Sequence, residues 1–300
     1  MRDLAPGLLA LALATAGCRA ELPTLPPVPQ DPGTPFIRPA GVVDGASGPA
    51  TADATGVDDV AAIPATVKYD WADEPRHALV IGNANYETSR LRNPENDAKS
   101  VAAALEKLGF EVTLVLNADQ KAMKRAIDDF GRSLAAGGAG LFYYAGHGMQ
   151  VNGENYLIPV GAVIQREDDI DIESVSLKRV LTRLDGAGNR VNMVILDACR
   201  DNPFARSFRS TARGLALADA PTGTMIAYAT SPGATAADGD GSNSPFAAAL
   251  VEHMDEPGWA IEKVLKTVRK DVREATDGAQ VPWDSSSLEG EFIFVPPEGS

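Results

Sequence analysis

The chain has 300 residues, 44% hydrophobic and 23% charged, which is enough apolar material for one sizeable core with residues to spare. Its 41 acids against 27 Lys and Arg give a formal charge of -14, with no basic run, so nothing would neutralise a row of phosphates and a nucleic-acid partner is not expected. Two cysteines, Cys18 and Cys199, cannot build a disulfide framework within the domain or a Cys-rich zinc site.

Residues 1–18 place Arg2 ahead of an apolar stretch from Leu8 to Ala16 that ends in small residues, the anatomy of a secretory signal. Thr15-Ala16-Gly17-Cys18 resembles the bacterial lipobox, with Thr15 where that pattern prefers Leu. On this reading Cys18 becomes the lipidated first residue of a protein exported across the inner membrane and anchored facing the periplasm. Ala14-Thr15-Ala16 would also suit an ordinary signal peptidase, which would leave a free periplasmic protein. Residues 19–74 hold nine of the 21 prolines and nine acids against three bases. Such a segment cannot bury enough surface to offset its conformational entropy, and an extended, acidic, Pro-rich tether is expected.

A globular pattern occupies residues 75–296. His77 to Gly82 is a short apolar run closed by glycine, as in a strand buried on both faces. Asn93-Pro94-Glu95 offers a cap, a proline at the first helical position and a first-turn acid; Ala98, Val101, Leu105 and Leu108 follow at helical spacing as far as Gly109. Strands are expected at 110–116, 140–145, 156–160, 191–198, 224–229 and 291–295, and helices at 120–134, 177–184, 245–253 and 259–274. Alternation at these intervals means parallel pairing through right-handed crossovers, hence an α/β sandwich.

Chemistry concentrates where two of these strands end. Leu141 to Ala145 runs into Gly146-His147-Gly148, and Met193 to Leu196 runs into Asp197-Ala198-Cys199-Arg200. Ligands of open parallel sheets collect beyond the carboxyl ends of the strands, so His147 and Cys199 reach one rim. Either residue alone has an ordinary explanation, as a satisfied polar group or an inert small hydrophobe. His77 opens a buried strand and His253 ends a helix, so both have ordinary explanations.

Tyr144-Ala145-Gly146-His147-Gly148 and Asp197-Ala198-Cys199-Arg200-Asp201-Asn202-Pro203-Phe204, 52 positions apart from His to Cys, resemble the histidine and nucleophile motifs of the caspase-like cysteine peptidases, bacterial and metacaspase branch. The resemblance runs from about Arg76 to Val295 and includes Ala229-Thr230-Ser231-Pro232-Gly233, similar to a substrate-groove segment. It implies a caspase-like α/β sandwich with a mostly parallel central sheet flanked by helices. It also implies a cysteine endopeptidase with Cys199 as nucleophile, His147 as general base and acid, and backbone N–H groups of Gly148 and Cys199 as the oxyanion hole. Asp97 and Asp197 match the acids that this branch places in its specificity pocket. Protein or peptide substrates cut after Arg or Lys are therefore expected.

No cofactor or metal is required by this chemistry. Some metacaspases depend on calcium, and Glu167-Asp168-Asp169-Ile170-Asp171 is an acidic run that could hold it, although such runs are usually solvated surface and this one lacks an EF-hand pattern. Arg206, Arg209 and Arg213 mark either a self-processing site or a basic surface. Two other classes remain: a caspase-fold binding or scaffolding module with little turnover, and a redox thiol protein, for which no resolving cysteine is present.

Overall fold

A computed structural model describes residues 74–134, 138–198 and 214–297. In chain order its elements begin β1 (Arg76–Gly82), α1 (Pro94–Lys107), β2 (Glu111–Leu116), α2 (Gln120–Ser133), β3 (Ala139–Ala145), β4 (Gly148–Val151) and β5 (Glu154–Leu157). They continue α3 (Asp169–Glu173), β6 (Val175–Ser176), α4 (Leu177–Asp185), β7 (Val191–Asp197), β8 (Thr224–Tyr228), α5 (Pro245–His253), α6 (Ile261–Ala275) and β9 (Trp283–Ser286). Among the described residues the main sheet has six strands in the order β2-β1-β3-β7-β8-β9, parallel except for β9. A smaller antiparallel sheet joins β4, β5 and β6.

The runs that form β1, β3 and β7 are apolar on both faces because helices cover both sides. Val80, Tyr143 and Ile195 pack with Val101, Leu105, Leu250 and Val268 from α1, α5 and α6. Their neighbours Leu79, Phe142 and Val194 pack with Met123, Ile127, Val180 and Leu184 from α2 and α4. Removing each such side chain from water contributes about 1.5–3 kcal/mol, which a one-residue slip in register would forfeit on both faces at once. Gly82 pairs with Ala145 and Ala145 with Asp197, so three neighbouring strands stop at one level. The residues that follow, Asn83, Gly146 and Ala198, therefore share a rim.

Three expectations need correction. No strand forms at 291–295; Phe292 and Phe294 are buried core residues and only a single bridge, Ala260 to Ile293, forms there. The last strand of the sheet is instead Trp283–Ser286, antiparallel to β8. The strand expected at 156–160 forms earlier and in the antiparallel sheet, where β4 returns directly from His147. Asn93 does not cap α1 with its side chain; its amide donates to the carbonyls of Asp238 and Gly239 at 2.5 and 3.2 Å and fastens a distant loop to the helix start.

Candidate active site

His147 stands in the turn between β3 and β4 and is only 2% exposed. Its peptide is held on both sides: the N–H donates to the Tyr86 hydroxyl at 3.0 Å, and the carbonyl accepts from the Tyr144 hydroxyl at 2.8 Å and from the Ile158 N–H at 3.0 Å. Burial pushes the Tyr144 hydroxyl well above its usual pKa, so it remains a donor. A Cβ on Gly146 would fall 2.7 Å from the Tyr144 hydroxyl and 2.8 Å from that of Tyr86, so only glycine lets both reach the turn.

The imidazole Nε2 lies 2.7 Å from the carbonyl oxygen of Ser89, in the loop between β1 and α1. A carbonyl can only accept, so Nε2 carries a hydrogen and donates it to Ser89. The Tyr86 ring sits against the imidazole with centroids 4.4 Å apart. Ser89 itself has φ 58°, an uncommon value for a residue with a Cβ.

Across the rim β7 ends at Asp197, followed by fully buried Ala198. The Gly146 N–H donates to the Asp197 carbonyl at 3.4 Å, and a Cβ on Gly148 would lie 3.1 Å from the Ala198 Cβ. The backbone of the histidine turn thus touches the residue that precedes Cys199. Cys199 itself, with Arg206, Arg209, Arg213 and Cys18, lies outside the described residues.

Asp97, in the first turn of α1, and Asp197 are both fully buried and meet at one residue. Asp97 Oδ1 accepts from the Ser244 N–H at 2.8 Å and the Asn243 amide at 3.0 Å. Asp197 Oδ2 accepts from the Ser244 hydroxyl and from Tyr143 at 3.2 Å. The same Ser244 oxygen caps α5 by accepting from the Ala247 N–H at 2.9 Å. Sequence reasoning begins this helix at Pro245 and does not single out Ser244; that it bridges the two acids has no local signature. Ala229, opening the groove segment, donates to Leu196 O at 3.0 Å, and Gln280 braces that segment by donating to Ala229 O and accepting from Ala237 N.

The remaining candidates have local duties. Asp169 accepts from the N–H groups of Gln165 and Arg166, which hold its carboxyl below the usual range and close its own turn. Among the described residues no three His, Cys, Asp or Glu side chains gather as a metal site. His77 is beside Glu111 at the amino end of β1, and His253 pairs with Asp271 at 2.6 Å and stacks on Trp259.

A family model described as Caspase domain matches residues 75–293. Mucosa-associated lymphoid tissue lymphoma translocation protein 1 of Homo sapiens is 31% identical over 138 residues, 44% of this chain and 16% of that protein. Its homolog in Mus musculus is 32% identical over 124 residues, 41% of this chain and 14% of that one. The chain thus matches only a small part of the length of these relatives. The crystal structure of caspase-1 from Spodoptera frugiperda superposes with a TM-score of 0.56 at 18% identity, over 76% of this chain and 92% of that one, a likeness of fold.

Proposed function

The chain belongs to the caspase-domain family, and from that premise we propose that it is a metacaspase-type cysteine endopeptidase that cuts after Arg or Lys. The observation that carries the reading is the Ser89 contact: a buried imidazole whose Nε2–H is held by a carbonyl would act through Nδ1, and its turn touches Ala198, the residue before Cys199 in the sequence. Nδ1 takes the Cys199 thiol proton as sulfur attacks the substrate carbonyl carbon. The oxyanion accepts from the N–H groups of Gly148 and Cys199. Collapse breaks the C–N bond, the leaving amine takes the proton from the imidazolium, and water hydrolyses the thioester to release the acid and the thiol.

Asp97 and Asp197 supply two carboxylates at one buried locus, a match for a guanidinium or ammonium through charge-assisted hydrogen bonds. Specificity for a basic residue follows from that charge, and no step above requires calcium. The purified full chain is tested on a peptide library with and without calcium, beside Cys199→Ala. Cleavage after Arg or Lys that is lost in the variant supports the reading; turnover by folded Cys199→Ala ends it. A binding or scaffolding module would bind basic peptides with no turnover.

Residues 1–18 and Cys18 extend the proposal to a lipoprotein held at a membrane and facing the periplasm, with residues 19–74 as its tether. A single acyl chain binds reversibly, so stable attachment requires more than one. Among the described residues no helix is long and apolar enough to cross a membrane. Mass spectrometry of the mature N-terminus finds a lipidated Cys18 if this is right, and an unmodified terminus after Ala16 if it is not.

A further inference from the structure

We infer that Tyr86 is a positioning residue for His147, with its hydroxyl fixing the peptide and its ring fixing the imidazole. The inference rests on the reading of His147 as the base and assigns the origin of that base's geometry. Tyr86 lies in the β1–α1 loop, three residues before Ser89, and is 8% exposed. Its own N–H donates to Ala84 O at 3.0 Å, and the Leu91 N–H closes the loop onto the same carbonyl at 3.1 Å.

The Tyr86 oxygen has a defined place in a chain of donors. It accepts from the His147 N–H and donates to Ile158 O at 3.0 Å, while the Tyr144 oxygen lies 3.3 Å away. Ile158 in turn donates its N–H to His147 O, so the hydroxyl links both sides of the histidine turn. Without it, the buried His147 N–H loses the partner that the loop provides, and the turn can shift or rotate. The ring acts separately: tilted 52° to the imidazole with its centroid 4.4 Å away, it restricts the imidazole's rotation, which keeps Nε2 on Ser89 O. One loop thus carries both the acceptor that selects the tautomer and the surface that holds the ring against it. Proton transfer from a thiol depends steeply on this placement, whereas substrate binding at Asp97 and Asp197 does not depend on it.

The prediction separates the two halves of the side chain. In the full chain, Tyr86→Phe keeps the ring and removes the hydroxyl, and kcat should fall roughly tenfold with KM within about twofold. Tyr86→Leu removes both, and kcat should fall on the order of a hundredfold. Nitrogen-15 NMR of the His147 side chain, assigned with His147→Gln, should report Nε2–H alone in wild type and Tyr86→Phe, and exchange between tautomers in Tyr86→Leu. If Tyr86→Leu does not fold, Tyr86→Phe decides by the kcat and KM split and by faster exchange of the His147 amide hydrogen. Unchanged kcat in both folded variants, or a rise in KM with kcat preserved, overturns the inference. If wild type cleaves no peptide, the endopeptidase reading fails, and positioning is judged by NMR alone: an unchanged tautomer in Tyr86→Leu, or an unchanged His147 amide exchange rate in Tyr86→Phe, overturns it.

Discussion

Arg76 and His147 lie at opposite ends of the same sheet, and both are buried side chains whose nitrogens donate to backbone carbonyls. Arg76 opens β1 and donates to Leu108 O at 3.1 Å, Phe294 O at 2.7 Å and Ile293 O at 3.3 Å, with its guanidinium over the rings of Phe110 and Phe292. Burial draws its pKa below the usual arginine value, yet the carbonyls and aromatic faces keep the cation supported. It ties the first strand, the end of α1 and the segment after β9 together. His147 commits one nitrogen to the Ser89 carbonyl, and under the proposed function the other is the base. The difference teaches that burial alone does not mark a catalytic group: every donor of Arg76 named here serves the fold, whereas the proposal asks the second nitrogen of His147 to move a proton.

The comparison breaks most sharply if the two ends respond alike to mutation. His147→Ala and Cys199→Ala should each lower kcat by about three orders of magnitude or more while cooperative unfolding persists, and the double variant should be little worse than either, because nucleophile and base act as one unit. Steady-state kinetics beside a urea melt checks this. Asp97→Asn comes next: leaving a guanidinium partly unpaired should cost about 2–5 kcal/mol in kcat/KM for Arg substrates. The same variant should change the urea midpoint far less.

At the other end, Arg76→Met removes the donor shared by three carbonyls and should destabilise the domain by about 2–4 kcal/mol. Its kcat per folded molecule should equal that of wild type, the reverse of the His147→Ala result. The smallest effect concerns the base of the β1–α1 loop. Asn117 accepts from the Ala84 and Asn85 N–H groups and donates to Glu95 at 2.8 Å, which holds the Glu95 carboxyl below its ordinary pKa of 4.5. Because the folded state favours the charged form, this stabilisation is present above about pH 4.5 and is lost as pH falls through the depressed value. The stability difference between wild type and Glu95→Gln should therefore shrink on acidification below pH 4.5, measured by urea melts across pH. A difference that stays constant would contradict the assignment.

The sequence carries the central strands because β1, β3 and β7 are contiguous apolar runs closed by Gly82, Gly146 and Asp197, and burial on both faces leaves no other reading. It hides β9, since Trp283-Asp284-Ser285-Ser286 has no hydrophobic pattern and Trp283 is 46% exposed; that segment is a strand only because β8 offers an edge. Phe292 and Phe294 mislead for the opposite reason: their alternation imitates a strand, but their burial surrounds Arg76 and α6. In the candidate site, His147 stands out by its place between two glycines after an apolar strand, whereas Asp97 and Asp197 come only from the family resemblance. Ser89 is not legible, because it acts through a carbonyl that every residue possesses, and Tyr86 is not, because its partner lies 61 positions away.

The central claim, a basic-specific thiol activated by His147, is tested most directly by covalent labelling. The full chain is treated with matched peptidyl electrophiles ending in Arg or Asp, and the adduct is located by mass spectrometry. The account predicts rapid modification of Cys199 by the arginyl reagent, slow modification by the aspartyl one, and loss of the fast reaction in His147→Ala. Labelling of Cys199 no faster than a free thiol, or preference for the aspartyl reagent, would contradict it.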